Sequence, residues 1–376
     1  MNAARATFGL RQASRRWWVS LLVMVAATFW IYRARTGVAP GASRFGGPAQ
    51  GTTYSVVLGG ERPAAVVAAL QASVDSLLAN IDASMSTYDS TSEVSRLNRN
   101  RSRAPVMLSV HLAEVLRVAS EVSRASGGAF DVTVAPLVAA WGFGAAARTE
   151  QVPSDALLDS LHARVGWEKL HLDGREVTKA YPQLEVDLDA IAPGYTVDLV
   201  SAMLEARGET NHFVEVGGEV RARGRNARGG PFRVGIEEPV PEQRLVRVVV
   251  GLSDRSLATS GNYRDFREID GVRYTHILDP STGRPVRHGL LSVSVLHELC
   301  VYADAWATAL FAMGPERAWA LAGEQGLDVM LLVAGKDGTV EERMTNGFAA
   351  TVLRDVDGSA VDRTTRRSGA PARKEP

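Results

Sequence analysis

The sequence predicts an α+β fold, a single body in which a mostly antiparallel or mixed sheet is packed by helices, preceded by an N-terminal membrane anchor or signal. Three observations lead there. Short runs rich in β-branched and aromatic residues bunch together beyond residue 211. Helix-period patterns stand in separate blocks around them, which argues against a regular βαβ alternation. The spacers between the central runs have hairpin length, and this favours antiparallel pairing.

The elements follow in chain order. Arg5, Arg11, Arg15 and Arg16 precede an apolar run from Trp17 to Tyr32, the layout of a secretory signal or signal anchor. Trp17, Trp18, Trp30 and Tyr32 mark its two ends, where amphipathic rings suit membrane interfaces. Only Arg33 and Arg35 follow, so the positive-inside bias predicts inner-membrane anchoring with the body in the periplasm, or otherwise outside the cytoplasm. Residues 1–32 are the expected anchor or signal. Residues 33–51, rich in Gly, Ala, Pro and Arg without periodicity, are the expected linker. The body is expected over residues 52–354.

Pro63 to Ser84 carries Val67, Leu70, Val74, Leu77, Leu78 and Ile81 at helical spacing and so buries one side. Ser109 to Ala125 repeats the pattern, with Ser109 as its cap and Gly127-Gly128 as its stop. Further helices are expected over Asp155 to Val165, Tyr195 to Arg207 and Asp304 to Gln325. Strands are expected over His212 to Val216, Glu219 to Arg223, Phe232 to Ile236, Leu245 to Leu252, Tyr263 to Ile269, Leu290 to Leu296, Val329 to Val333 and Phe348 to Leu353. Residues 355–376 are polar and without a hydrophobic face, and read as a disordered tail.

Composition narrows the function. A chain of 376 residues at 45% hydrophobic and 22% charged is globular and can build a large core. Lys plus Arg equals Asp plus Glu at 42 each, so the overall charge gives no support to a nucleic-acid binder, and any polyanion site must be local. The sole cysteine, Cys300, excludes an internal disulfide and reads as a small packed residue closing the apolar strand SVSVLHELC.

The segment ADAWATALFAMG places Asp304 and Thr308 four residues apart, hence on one face, at the head of an otherwise apolar helix. A bare carboxylate there is costly unless a hard cation or a dense set of donors meets it, which points to phosphate chemistry. The plainer alternative is a helix cap complementing the macrodipole. What weighs against the plain reading is a series of other clusters. They are MSTY followed by SEVSRLN (85–88 and 92–98), SGGAFDVTV (126–134) with WGFG (141–144), DLDAIAPGY (187–195), EVGGE (215–219), and ATSGNY (258–263) with THILDPSTGRP (275–285). Each alone reads as turn or strand chemistry.

In content, order and spacing from Met85 to Leu332, the series resembles the ApbE-type FAD:protein FMN transferases. The resemblance implies a Mg2+-dependent enzyme that splits the pyrophosphate of FAD, releases AMP and places FMN on a Thr or Ser of an exported acceptor protein. It also implies site residues. Magnesium would be held by Asp304, Thr308 and the backbone oxygen of Ala192, with Gly194 turning the chain tightly enough to expose that carbonyl. The helix beginning near Tyr195 would aim free N–H groups at the diphosphate. His276, the histidine within the matching motifs, is the expected general base, with Asp279 either orienting its ring or capping the turn. Flavin and adenine contacts are expected from Met85, Tyr88, Ala129, Phe130, Asp131, Asp189, Tyr195 and Ile277, while Glu215, Gly217 and Gly218 would shape the adjoining sheet. Pro193 and Asp189 depart from the basic and small hydroxyl residues common at these positions in the family. Two alternatives remain open at this level: an FAD pyrophosphatase with water as acceptor, and a membrane-tethered flavin-binding protein.

Overall fold

The computed structural model describes residues 41–144, 151–240, 245–262 and 266–353. The expected anchor, the first part of the linker and the tail lie outside the described residues. Chain order begins with β1 (Arg44–Ala49), β2 (Thr52–Leu58), α1 (Ala64–Met85), α2 (Glu93–Arg99), β3 (Val106–Met107), α3 (Val110–Ala125), α4 (Ala135–Ala140), α5 (Asp155–His162), β4 (Leu170–Asp173) and β5 (Glu176–Lys179). It continues through α6 (Ala192–Ala206), β6 (His212–Val216), β7 (Glu219–Arg223), β8 (Phe232–Glu237), β9 (Val246–Leu252), β10 (Arg255–Gly261), β11 (Phe266–Ile269), β12 (Val272–Thr275), β13 (Leu278–Asp279) and β14 (Arg284–Pro285). Last come β15 (Leu290–His297), α7 (Cys300–Met313), α8 (Pro315–Glu324), β16 (Asp328–Ala334), β17 (Val340–Met344) and α9 (Asn346–Ala349).

An eight-stranded sheet of order β1-β2-β6-β7-β10-β15-β16-β17 forms the frame, and its neighbours pair antiparallel throughout. Period-2 alternation divides its side chains between two cores. On one face Ala258, Val293, Val295, Val329 and Leu331 pack against α3 and α7 in the main cluster. On the other, Val220, Leu257, Leu296, Met330 and Leu332 are covered by the β8–β9 hairpin through Phe232, Ile236, Val248 and Val250. A third cluster seats α1 on β1, β2 and α6 through Leu70, Val74 and Leu78. Among the described residues α1 alone is long and apolar enough to cross a membrane, and it packs on the body by one side only, through Leu70, Val74, Leu78 and Ile81, as an amphipathic helix does.

Several expectations need correction. Arg44–Ala49, expected within the linker, is an edge strand in register with β2 from Arg44 opposite Val57 to Ala49 opposite Thr52. Its Gly and Pro hide the alternation, while backbone bonds to β2 supply the order. Asp304 does not open its helix. α7 begins at Cys300, which is buried in that first turn instead of closing a strand, and Gly314 with Pro315 divides the expected Asp304–Gln325 helix into α7 and α8. The Phe348 to Leu353 run is no strand. Phe348 lies in α9, fully buried beneath the hairpin, and Val352 makes one bridge to Val250, so its apolar signal reports burial alone. Val132–Val134 form a short 3-10 helix capped by Asp131.

Candidate active site

The site is best built from α6 and α7, which pack side by side where a side chain at residue 194 would not fit. A Cβ there would lie 2.6 Å from the Cys300 carbonyl oxygen and 2.8 Å from Asp304 Cβ. Gly194 therefore permits helix contact. It sits within α6 and is not the tight turn expected of it. The contact lets the Gly194 N–H donate to Asp304 Oδ2 at 2.9 Å. The start of α7 has no cap from its own Leu299, and Asp198 of α6 fills that role, accepting from Cys300 N at 3.0 Å and Val301 N at 2.9 Å while pairing with Arg221. Asp198 thus fixes the register of the helix that carries Asp304 and Thr308.

These two residues face a cavity of about 1370 Å³ at one end of the sheet. Thr308 Oγ1 and Ser260 Oγ of β10 lie 3.2 Å apart. The β6–β7 turn enters through Gly217 and Gly218, whose φ values of 65° and 117° make a two-residue hairpin loop that side chains would strain, and it delivers Glu219 to the cavity wall. Asp304 is buried, and desolvation pushes its carboxyl up to about 7, against the Gly194 hydrogen bond and with the charge of Asp198 adding to the rise. Glu219 is raised well above the usual carboxylate range, first by desolvation and then by the charge of Asp304. Two neighbouring carboxylates that each resist ionisation are what a bound cation would relieve.

Another part of the wall is the segment Asp187 to Ala190. Asn98 holds it by a reciprocal pair, donating to Val186 O at 2.8 Å and accepting from Val186 N at 2.7 Å. Burial raises the Asp187 carboxyl. Asp189 is raised by desolvation and then by the charge of Asp187, although it is exposed overall and water screens part of that repulsion. Carboxylates dominate the charged groups of the lining, with Arg267 the one guanidinium among the described lining residues. That guanidinium is anchored by the carbonyls of Trp141 and Gly142 at 3.2 and 3.1 Å and lies over the Phe143 ring.

Of the expected site residues, Asp304, Thr308, His276, Ile277, Tyr88, Ala129, Phe130, Asp131 and Asp189 all line this one cavity. His276 is half-buried, its ring edge-on to Phe143 at 6.4 Å between centroids. Asp279 caps the turn, accepting from Ser281 N at 2.9 Å and Ser281 Oγ at 2.6 Å through one carboxylate oxygen. Asp131 has a second duty, tying Thr133 N and Trp167 N to one carboxylate at 2.7 and 2.8 Å. Three residues do not line the cavity. Met85 closes α1 inside the main core, Tyr195 points its hydroxyl at His111 Nδ1, 2.9 Å away, and the carbonyl of Ala192 accepts from Thr196 Oγ1 at 2.8 Å. The last two follow from α6 starting at Ala192: its first turn brings the Thr196 hydroxyl to the Ala192 carbonyl and points Tyr195 toward α3. Gly217 and Gly218 line the cavity directly, and Glu219, Asp187, Ser260, Arg267 and Phe143 join them. All but Arg267 stand in motifs visible in sequence, but the tertiary arrangement that brings them together was not.

A magnesium ion suits this donor set in part. Among the described residues no three His, Cys, Asp or Glu side chains form a metal group, so a hard cation here must draw on hydroxyl and ligand oxygens beside Asp304. Thr308 and Ser260 offer such hydroxyls, and the Ala192 carbonyl, which accepts from Thr196 Oγ1, keeps a second lone pair.

This fold of a large antiparallel sheet packed by helices is shared with solved flavin transferases. The structure of the flavin transferase ApbE from Vibrio cholerae superposes with a TM-score of 0.77 at 40% identity, covering 82% of this chain and 99% of that one. The apo form of the Pseudomonas stutzeri flavinyl transferase ApbE gives 0.74 at 37%, covering 82% and 96%. In sequence, the FAD:protein FMN transferase of Vibrio cholerae serotype O1 is 42% identical over 295 residues, 78% of this chain and 88% of its own length. That of Haemophilus influenzae is 38% identical over 301 residues, 78% and 87%. The ApbE family matches residues 50–331, and the chain belongs to it.

Proposed function

We propose that the protein transfers FMN from FAD to a Thr or Ser hydroxyl of an exported acceptor protein, with Mg2+, releasing AMP. The observation that carries this reading is the meeting of Asp304, Thr308 and His276 on one cavity. At about 1370 Å³ it exceeds the roughly 300–1000 Å³ of ordinary small-ligand pockets and suits a dinucleotide. An acid-lined wall repels a diphosphate unless cations intervene, so the same carboxylates that make the cavity hostile to bare FAD favour a cation-bound one.

In the reaction, the acceptor hydroxyl oxygen bonds to the phosphorus next to riboflavin. The bond from that phosphorus to the bridging oxygen breaks, and AMP leaves with the bridging oxygen and its charge. His276 stands on the wall to take the hydroxyl proton. Asp304 and Thr308 would hold the ion, with Ser260 bracing Thr308 from the sheet. When bound, Mg2+ supplies charge neutralisation to the diphosphate and leaving group. Phe130 and Ile277 give apolar walls for the ring systems, and Tyr88, 68% exposed, adds an aromatic ring to the same lining. The basic-then-apolar opening of the sequence supports a body tethered to the membrane outside the cytoplasm, where an exported acceptor would meet it.

The test is incubation of the full chain with FAD, Mg2+ and a flavinylatable exported protein, followed by mass analysis of the acceptor and assay of AMP. An FMN phosphoester adduct with AMP is the expected result. AMP without adduct would make the protein a pyrophosphatase, and neither product would leave only flavin binding.

A further inference from the structure

A second cavity, of about 510 Å³, lies behind the β13–β14 hairpin, and its chemistry is the reverse of the first. Arg284, Arg287 and Arg317 line it, with Asp279 the one carboxylate among its described lining residues. That carboxylate is already engaged by Ser281. Arg284 pairs with Asp155, but Arg287 and Arg317 have no carboxylate partner among the described residues. Arg287 is instead held over the Tyr274 ring at 5.0 Å, and Tyr274 stacks on Trp141 at 5.2 Å between centroids. An aromatic floor positions a guanidinium without neutralising its charge. Arg317 stands in the first turn of α8, where the helix dipole also favours anions. His288 adds no charge: Nε2 donates to Phe311 O at 2.8 Å and Nδ1 accepts from Leu290 N at 3.3 Å, which is a neutral imidazole.

We infer that this cavity is a second ligand site, for a small organic phosphate held by Arg287 and Arg317. Two unpaired guanidiniums match a dianion better than a single carboxylate. The volume lies within the range for small ligands and exceeds a bare phosphate, and Pro285, Val286 and Met313 give the organic part an apolar wall. Because β13 begins two residues after His276, occupancy ties the hairpin beside the catalytic cavity to α8.

The test uses the full chain without Mg2+, titrated calorimetrically with glycerol phosphate and separately with acetate. Saturable binding of glycerol phosphate is expected, weakened about tenfold or more by either Arg287→Ala or Arg317→Ala and unchanged by Asp304→Ala. Both arginines are exposed, so the variants should melt with the wild type, and a melting scan verifies it. Acetate should bind far more weakly. Absence of saturable binding, binding that survives both arginine substitutions, or binding strengthened in Asp304→Ala would each overturn the proposal, the last by locating the anion in the first cavity, where that carboxylate repels it.

Discussion

Replacing Gly194 by alanine tests the helix contact on which the catalytic cavity is built. The new methyl would stand 2.6 Å from Cys300 O, 2.8 Å from Asp304 Cβ and 2.9 Å from the Cys300 carbonyl carbon. Relaxed contacts need about 3.5 Å or more, so α6 and α7 must separate by roughly 1 Å. Backbone atoms on a buried helix cannot swing aside, and such overpacking costs about 1–3 kcal/mol. For a domain of this size that lowers the melting temperature by roughly 2–10 °C. The same shift lengthens the bond from Gly194 N to Asp304 Oδ2 and moves Asp304 relative to the substrate, where displacements on the order of 1 Å cost about a hundredfold in rate. Gly194→Ala should therefore lose far more FMN transfer than stability, read by a melting scan and by adduct mass over time. Gly323→Ala is the control. That position lies in α8 with open space around a new Cβ, and the change should be neutral or stabilising by up to about 1 kcal/mol. Wild-type melting and transfer in Gly194→Ala would refute the close-contact reasoning.

Three further outcomes follow from the same geometry. Asp304→Ala, or chelation of the wild type, should reduce Mg2+-dependent AMP release on the order of a thousandfold with the fold retained; undiminished release rejects the metal assignment. His276→Ala should lower transfer by about 10²–10⁴ while FAD affinity is kept, and loss of affinity instead would make His276 a ligand contact. The third concerns pH. Burial raises the Asp304 carboxyl from its ordinary value of about 4 to about 7. Between those values the folded protein holds a proton that the unfolded chain has released, so stability without Mg2+ falls as pH rises through the window. Asp304→Asn should flatten that fall in melting scans with chelator, and added Mg2+ should restore wild-type stability at pH 8. Identical profiles for the two proteins would defeat the linkage.

The sequence alone determined the helix faces, most of the central strands and the membership of the chemical clusters. Those features rest on local periodicity and turn chemistry, which a chain carries wherever it folds. Ser109 capping α3 and the Gly217-Gly218 hairpin are local in this sense. Only the tertiary structure decided where α7 starts, because its cap is Asp198 on another helix, and no pattern within residues 299–304 records that partner. It also decided that Gly194 serves helix contact, that Arg44–Ala49 joins the sheet, and that Glu219, Ser260 and Arg267 line the cavity while Ala192, Met85 and Tyr195 do not. The physical reason is the same in each case. A capping bond, a van der Waals gap or a strand pairing belongs to two segments distant in the chain, and it exists only once both have been brought together.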